Sequence, residues 1–139
     1  MERIDIELFA SSSDLTKEKI LEYSRKYKFQ VFDLDSVVSR FQLKLAYYHA
    51  INAFKEKRNI TNDFMLEWLV RASGKRQIKN AIDYLGLKNP KRIVIGFDKN
   101  KTDIKKEKIL ELIKGKEIEW KDKDDSRIIR DMVELEIEE

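Results

Sequence analysis

Arg92-Ile93-Val94-Ile95-Gly96-Phe97 is a β-branched run that reads as a strand. It stands in a chain whose longest segments have helical periodicity, so strands and helices must share the core. That combination restricts the fold to the α/β (α+β) class, here one domain over residues 1–139 with a mixed β-sheet flanked by helices. Arg3–Phe9 alternates polar and apolar residues and predicts a half-buried strand, which Ser11-Ser12-Ser13-Asp14 breaks. Ser13 or Asp14 then opens a helix to about Tyr27, and Phe29–Leu34 forms a second strand. Asp35 or Ser36 caps a long helix over about 37–57, with Val38, Phe41, Leu45, Tyr48 and Asn52 at helical spacing. Val37, Ala46, Ala50 and Ala53 widen that stripe. A short apolar helix over about 63–72 is capped by Thr61 or Asn62 and ended by Ser73-Gly74, with Gly74 suited to a left-handed C-cap. A further helix runs over about 76–85, closed by Gly86. After the strand at 92–97, Thr102 and Asp103 open a helix to Lys114, which Gly115 ends, and Glu117–Trp120 is a short strand. Ser126–Asp131 is a helical turn, and Val133-Glu134-Leu135-Glu136-Ile137 alternates as a last strand.

Composition excludes several kinds of chemistry. With no Cys there is no disulfide framework, thiolate metal site or Cys nucleophile, and a single His leaves no His-rich metal site. No apolar run reaches the roughly 20 residues of a membrane span, and the first five residues lack the apolar core of a signal peptide. A cytoplasmic protein is expected. Four glycines in all make a glycine-rich nucleotide cradle implausible, and Ser73-Gly74-Lys75 lacks the upstream glycines of a P-loop.

The charge is informative only when it is divided. The whole chain has a net charge of +3, but residues 41–92 hold 11 basic and 4 acidic side chains. Between Arg71 and Arg92 seven cations (Arg71, Lys75, Arg76, Lys79, Lys88, Lys91 and Arg92) meet the single acid Asp83. Such a block is either a solvated helix face or a surface that attracts polyanions. Arg71, Lys75 and Arg76 cluster about the Ser73-Gly74 break, where a helix N-terminus would add N–H donors suited to phosphate. Residues that look catalytic singly do not assemble into a set. His49, beside Tyr47 and Tyr48, is read as a packed side chain without an acid pair to make it a general base. Glu67 is read as a partner of Arg71 four residues on rather than a perturbed carboxylate. Asp122, Asp124 and Asp125 are read as a solvated turn, because lysines interrupt any calcium-loop pattern. No nucleophile, base and oxyanion donor come together, so no catalytic residue, metal or cofactor is expected.

The segment His49–Leu87 carries a more specific pattern. It contains His49-Ala50-Ile51-Asn52-Ala53-Phe54, then Asn59-Ile60-Thr61-Asn62-Asp63, then Glu67-Trp68-Leu69. Ala72-Ser73-Gly74-Lys75-Arg76-Gln77-Ile78-Lys79-Asn80-Ala81-Ile82 and Leu85-Gly86-Leu87 follow. This resembles the kinase-binding accessory subunit family of the KEOPS complex (the PRPK-binding protein family, TPRKB-like) in its archaeal type. That family has an apolar E-x-L-x-x-L-S-G-x-R-Q-I stretch, then an A-I pair and a G-[IL]. Ser73, Gly74, Arg76, Gln77 and Ile78 match its centre, whereas Ala72 stands where Leu is usual and Trp68 is bulkier than usual.

The resemblance implies a non-catalytic subunit that docks on the N-lobe of a small atypical kinase/ATPase. It also implies binding of the tRNA 3′ CCA end, promoting threonylcarbamoyladenosine formation beside the anticodon. Arg71, Lys75, Arg76 and Lys79 are then the expected tRNA-binding residues, through phosphate contacts. Arg76 either stacks on a splayed base or forms a buried bridge that fixes the turn. Gln77 either caps backbone groups or reads a base. Phe64, Met65, Leu69, Ile78 and Ile82 are the expected kinase interface, unless all of them belong to the core. No membrane and no small-molecule substrate is expected. A stand-alone RNA-binding domain, and a small ligand-binding domain or enzyme using Glu67 and His49, are the alternatives.

Overall fold

A computed structural model describes residues 3–137; Met1, Glu2, Glu138 and Glu139, the ends of the expected 1–139 domain, lie outside the described residues. The strands are β1 (Ile6–Ser13), β2 (Gln30–Asp33), β3 (Ile93–Asp98) and β4 (Gly115–Glu117). The helices are α1 (Lys17–Tyr27), α2 (Arg40–Lys55), α3 (Phe64–Ser73), α4 (Ile78–Leu85), α5 (Lys106–Leu112) and α6 (Ser126–Ile137). The fold is of the expected α+β class, but the sheet is not mixed: each strand pairing is antiparallel, in the order β2-β3-β1-β4. By contacts the chain divides into two compact units: Met1–Asp35 with Leu87–Trp120, and Ser36–Gly86 with Lys121–Glu139.

The first unit holds the sheet. β1 and β2, joined by α1, flank β3; β3 and β4, joined by α5, flank β1. These are two interlocked split β-α-β units, a ferredoxin-like topology. Phe9, Val31, Ile93, Ile95 and Phe97 of the strands pack with Ile20 of α1 and Ile109 of α5 in a buried apolar cluster. The register sets Phe9 and Val31 opposite Ile95, so one face of three strands meets the helices.

The expected break at Ser11–Ser13 is not a break. β1 runs through the serines, which pair with β4 in the register Ser11–Glu117 to Ser13–Gly115. Their small side chains let β4 approach closely: a Cβ at Gly115 would lie 2.7 Å from Ser11 Oγ. Thr16 caps α1 in place of Ser13 or Asp14, its Oγ1 accepting from Lys19 N at 3.2 Å. Thr102 does not open α5, because its hydroxyl donates to Tyr27 O at 3.1 Å and holds the preceding loop.

The second unit is helical. α2 starts at Arg40, later than expected, because Ser39 and Gln42 form a capping box. Ser39 Oγ accepts from Gln42 N at 3.0 Å, and Gln42 Oε1 accepts from Ser39 N at 3.3 Å. α3 is capped by Asp63 rather than Thr61 or Asn62, its Oδ1 accepting from Met65 N at 3.0 Å. The last strand expected at 133–137 is instead the end of α6. Ile128, Met132 and Leu135, at i, i+4 and i+7, are its buried stripe, and this helical spacing outweighs the two-residue alternation that leaves Val133 and Ile137 exposed. Among the described residues no helix is long and apolar enough to cross a membrane.

Ser39→Ala removes the reciprocal cap of the longest helix. Its unfolding free energy should fall by about 1 kcal/mol in urea titration. An unchanged midpoint would mean that the capping box contributes nothing.

Candidate functional site

The Ser73-Gly74 break turns the chain between α3 and α4. Ser73 Oγ donates to Val70 O at 2.6 Å and accepts from Lys75 N at 3.0 Å, closing the helix end with a side chain. Gly74 takes φ +68°, as its left-handed C-cap role requires, and its N–H donates to Arg71 O at 3.4 Å. A Cβ there would also press on Asp131 Cβ at 3.1 Å, so the glycine permits α6 to lie against the turn. α4 then begins with Gln77 at its N-cap and no side-chain cap bond. Gln77 Oε1 accepts instead from Asn80 Nδ2 at 3.3 Å.

Lys75, Arg76 and Lys79 are exposed about this turn and the first turn of α4. Lys75 Nζ lies 5.3 Å from the centre of the Tyr84 ring, and Lys79 Nζ lies 3.6 Å from Asp83. Arg76 is not the buried bridge that was its alternative reading. The rest of the basic block is placed elsewhere. Lys88, Lys91 and Arg92 pair with Asp33, Asp14 and Asp35 in the sheet unit.

Arg71 has to be removed from the phosphate-binding set. It is 0% exposed, and its guanidinium is occupied by protein groups. Nε donates to Glu67 Oε2 at 2.8 Å, Nη1 to Glu136 Oε2 at 2.8 Å and Nη2 to Arg58 O at 3.1 Å. The Glu67–Arg71 pair expected from the i, i+4 spacing is therefore present, but fully buried. Glu67 Oε1 also accepts from Ile60 N at 3.0 Å and Thr61 N at 2.8 Å. Arg58 Nη1 donates to Glu136 Oε1 at 2.8 Å. His49 sits at the edge of this network, its Nδ1 buried without a hydrogen bond and 3.7 Å from Glu136 Oε2. Burial pushes the imidazole below its ordinary value of 6.5; Glu136 pulls it up, and Arg71 and Arg58 push it further down. The carboxylates at 122–125 bind neighbours: Asp122 accepts from Arg40 Nη1 at 3.0 Å, Asp124 from Ser126 N at 3.0 Å, and Asp125 from Ser39 Oγ.

The expected apolar interface is divided by the fold. Leu69 is buried and is corrected to a core residue, because the inward face of α3 carries it beside Trp68 and Val70. Phe64 packs edge-on against Tyr47 with ring centres 5.2 Å apart and is half-buried, as are Met65 and Ile78. Ile82 is 44% exposed. Two aromatics of the stripe expected along α2 face solvent instead: Phe41 is 56% and Tyr48 50% exposed. The face of α2 that is buried carries Gln42, Leu43, Ala46, Tyr47, Ala50 and Ala53. The three alanines were the available signal, since small side chains allow neighbouring helices to approach.

A family model described as "Kinase binding protein CGI-121" matches residues 10–136 of the chain. A curated relative, the "Regulatory protein Cgi121" of Methanocaldococcus jannaschii, is 37% identical over 112 residues, covering 78% of this chain and 71% of the relative. The chain belongs to the CGI-121 kinase-binding protein family. Both the buried Glu67–Arg71–Glu136 network and the exposed turn lie within or at the border of the stretch that the CGI-121 model matches. The E-x-x-x-R spacing of this CGI-121 member thus builds the support for the Ser73-Gly74 turn, and the cations after it are the part offered to solvent.

Two outcomes follow from the network. Arg71→Met leaves Glu67 and Glu136 without their shared cation and should lower the unfolding free energy by about 3–5 kcal/mol in denaturant titration. A loss below about 1 kcal/mol would show that the pair is dispensable. His49 binds its proton less tightly in the folded state than in the unfolded state, so between the two values the unfolded chain holds more protons and stability rises with pH. Its contribution is complete above about pH 6.5 and is lost as pH falls through the lower folded value. His49→Gln should therefore flatten the pH dependence of the unfolding midpoint below that point, and an unaltered profile would exclude His49 as its source.

Proposed function

We propose that the chain is a non-catalytic accessory subunit of the KEOPS tRNA-modification complex. In this reading it binds the small atypical kinase/ATPase subunit and the tRNA 3′ CCA end, and so promotes threonylcarbamoyladenosine formation next to the anticodon. The kinase and KEOPS parts rest on membership of the CGI-121 family, whose name states kinase binding. The RNA part is supported by one observation above all: Lys75, Arg76 and Lys79 are exposed together about one turn. Closely spaced cations attract a phosphate backbone, and the N–H groups of the first turn of α4, without a side-chain cap, add donors of the same sign.

The kinase docks on apolar side chains that the fold leaves in solvent. Ile82 is one of the residues expected from the sequence, and Phe41 and Tyr48, seven residues apart on α2, supply further apolar area. Phe64, Met65 and Ile78 border on the core and contribute through their exposed edges.

The test uses the full chain with intact tRNA, tRNA lacking its terminal CCA, and the purified kinase. Lys75→Glu, Arg76→Glu and Lys79→Glu together should cut tRNA affinity by more than tenfold and flatten its salt dependence, with the melting temperature unchanged. Ile82→Glu should weaken co-purification with the kinase. Equal affinity for tRNA with and without CCA overturns recognition of the CCA end, unchanged affinity in the triple variant overturns the basic surface, and failure to associate with the kinase at micromolar concentration overturns the docking reading.

A further inference from the structure

The sheet unit carries a basic cleft of its own at the end of α1. Two segments form it. The first is the close of the helix, where Lys26 stands in the last turn and Lys28 is the C-cap. Lys28 takes φ 61° and ψ 48°, a left-handed conformation that ends α1. The second is the stretch after β3, with Lys101 in the loop and Lys108 on α5. Thr102 ties the two segments together. Its hydroxyl donates to Tyr27 O at 3.1 Å and accepts from Ile104 N at 3.3 Å. The four lysines therefore meet around an open cleft of about 490 Å³, and the fold fixes the segments that carry them.

Helix polarity accounts for part of this arrangement. Lys26 and Lys28 lie where cations complement the negative end of α1. Lys101 and Lys108 have no such reason to be there, since they come from a distant part of the chain and line the same space. All four are exposed, and among the described residues Asp103 is the one acid lining the cleft. Lys108 Nζ also lies 3.3 Å from Glu111, an exposed pair that costs little to open. Lys26 Nζ lies 5.4 Å from the centre of the Tyr27 ring.

The surroundings decide what kind of anion fits. Beside the same loop, Lys99 Nζ is 3.3 Å from Glu7 and Lys106 Nζ is 2.7 Å from Glu117, so these neighbours do not extend the positive charge into a strip. A nucleic-acid backbone rewards a long row of cations. Four ammonium groups around one hollow suit a compact ion with several charges instead. The volume is that of a small-molecule site, and half-buried Tyr27 and Ile104 add apolar wall. A chain of linked phosphates has the required form: it carries several charged oxygens within a short length, so lysines on both sides of the cleft are satisfied at once.

We propose that Lys26, Lys28, Lys101 and Lys108 form a binding site for an oligophosphate chain, free or as the tail of a nucleotide. The proposal does not rest on the RNA-binding reading above.

The experiment measures binding of inorganic phosphate, inorganic triphosphate and ATP to the full chain by calorimetry. It is run in about 0.1 M salt, where charges more than about 10 Å apart are largely screened. Triphosphate should bind at least about tenfold more tightly than phosphate, because a single phosphate reaches fewer of the lysines. It should also raise the melting temperature, as a ligand of the folded state does. Lys26→Gln with Lys28→Gln should weaken triphosphate binding by about tenfold. Lys44→Gln with Lys55→Gln removes as much charge from exposed positions of α2 and should change the affinity by less than about twofold. Tighter binding of ATP than of triphosphate identifies a nucleotide, with its nucleoside on Tyr27 and Ile104. Equal affinity identifies the free chain, and both results uphold the site. Triphosphate that binds no tighter than phosphate overturns the proposal, and so do equal losses in the two double variants. A cleft variant that loses tRNA together with triphosphate also overturns it, since the lysines would then belong to an RNA surface. Absence of tRNA binding by the parent chain overturns the RNA reading alone, and the triphosphate measurements still decide this one.

Discussion

The guanidinium of Arg71 is the group around which the helical unit is arranged. Burial of a cation away from water is costly unless each donor finds a partner. Here Nε, Nη1 and Nη2 each have one, from three places in the chain: Glu67 one turn back on α3, Glu136 on α6, and the carbonyl of Arg58 before α3. Glu67 in turn holds Ile60 N and Thr61 N, so the loop entering α3 is tied to the same pair. Removal of any member leaves a charge in an apolar interior, so loop, motif helix and C-terminal helix are held in a common geometry. The Ser73-Gly74 turn follows directly from the end of that helix.

This arrangement separates charge along the chain from charge in space. Seven cations between residues 71 and 92 look like one basic surface when counted in order. Folding places Arg71 inside, pairs Lys88, Lys91 and Arg92 with aspartates of the sheet unit, and leaves Lys75, Arg76 and Lys79 about the turn. The surviving basic surface is smaller than the block and local to the segment with the family pattern. α6 brings acids to the same place, so the site offers cations and carboxylates side by side.

Much of the architecture was legible in the order of residues. The β-branched run became β3, one of the two inner strands of the sheet, and the apolar helices appeared at their places with ends displaced by a few residues. Gly74 took the left-handed conformation foreseen for it, and Glu67 and Arg71 paired as their spacing indicated. The misreadings share a cause, which is that a local pattern had two solutions. Val133-Glu134-Leu135-Glu136-Ile137 suits a strand by alternation and a helix through Ile128, Met132 and Leu135. α2 carries two apolar stripes, and only packing selects the alanine-rich one and leaves Phe41 and Tyr48 outside. Ser11–Ser13 suits a turn until β4 supplies the partners that extend β1.

By itself, then, the sequence determined the class of fold, the motif helix with its i, i+4 ion pair and glycine stop, and the family, because each depends on residues close together in the chain. Tertiary structure alone decided that Arg71 is buried, that Glu136 is its second anion 65 residues away, and that Asp131 and Glu134 stand beside Arg76. The reason is physical: a side chain's charge and apolar area are properties of the residue, but its access to water and its partners are set by which distant segments pack over it.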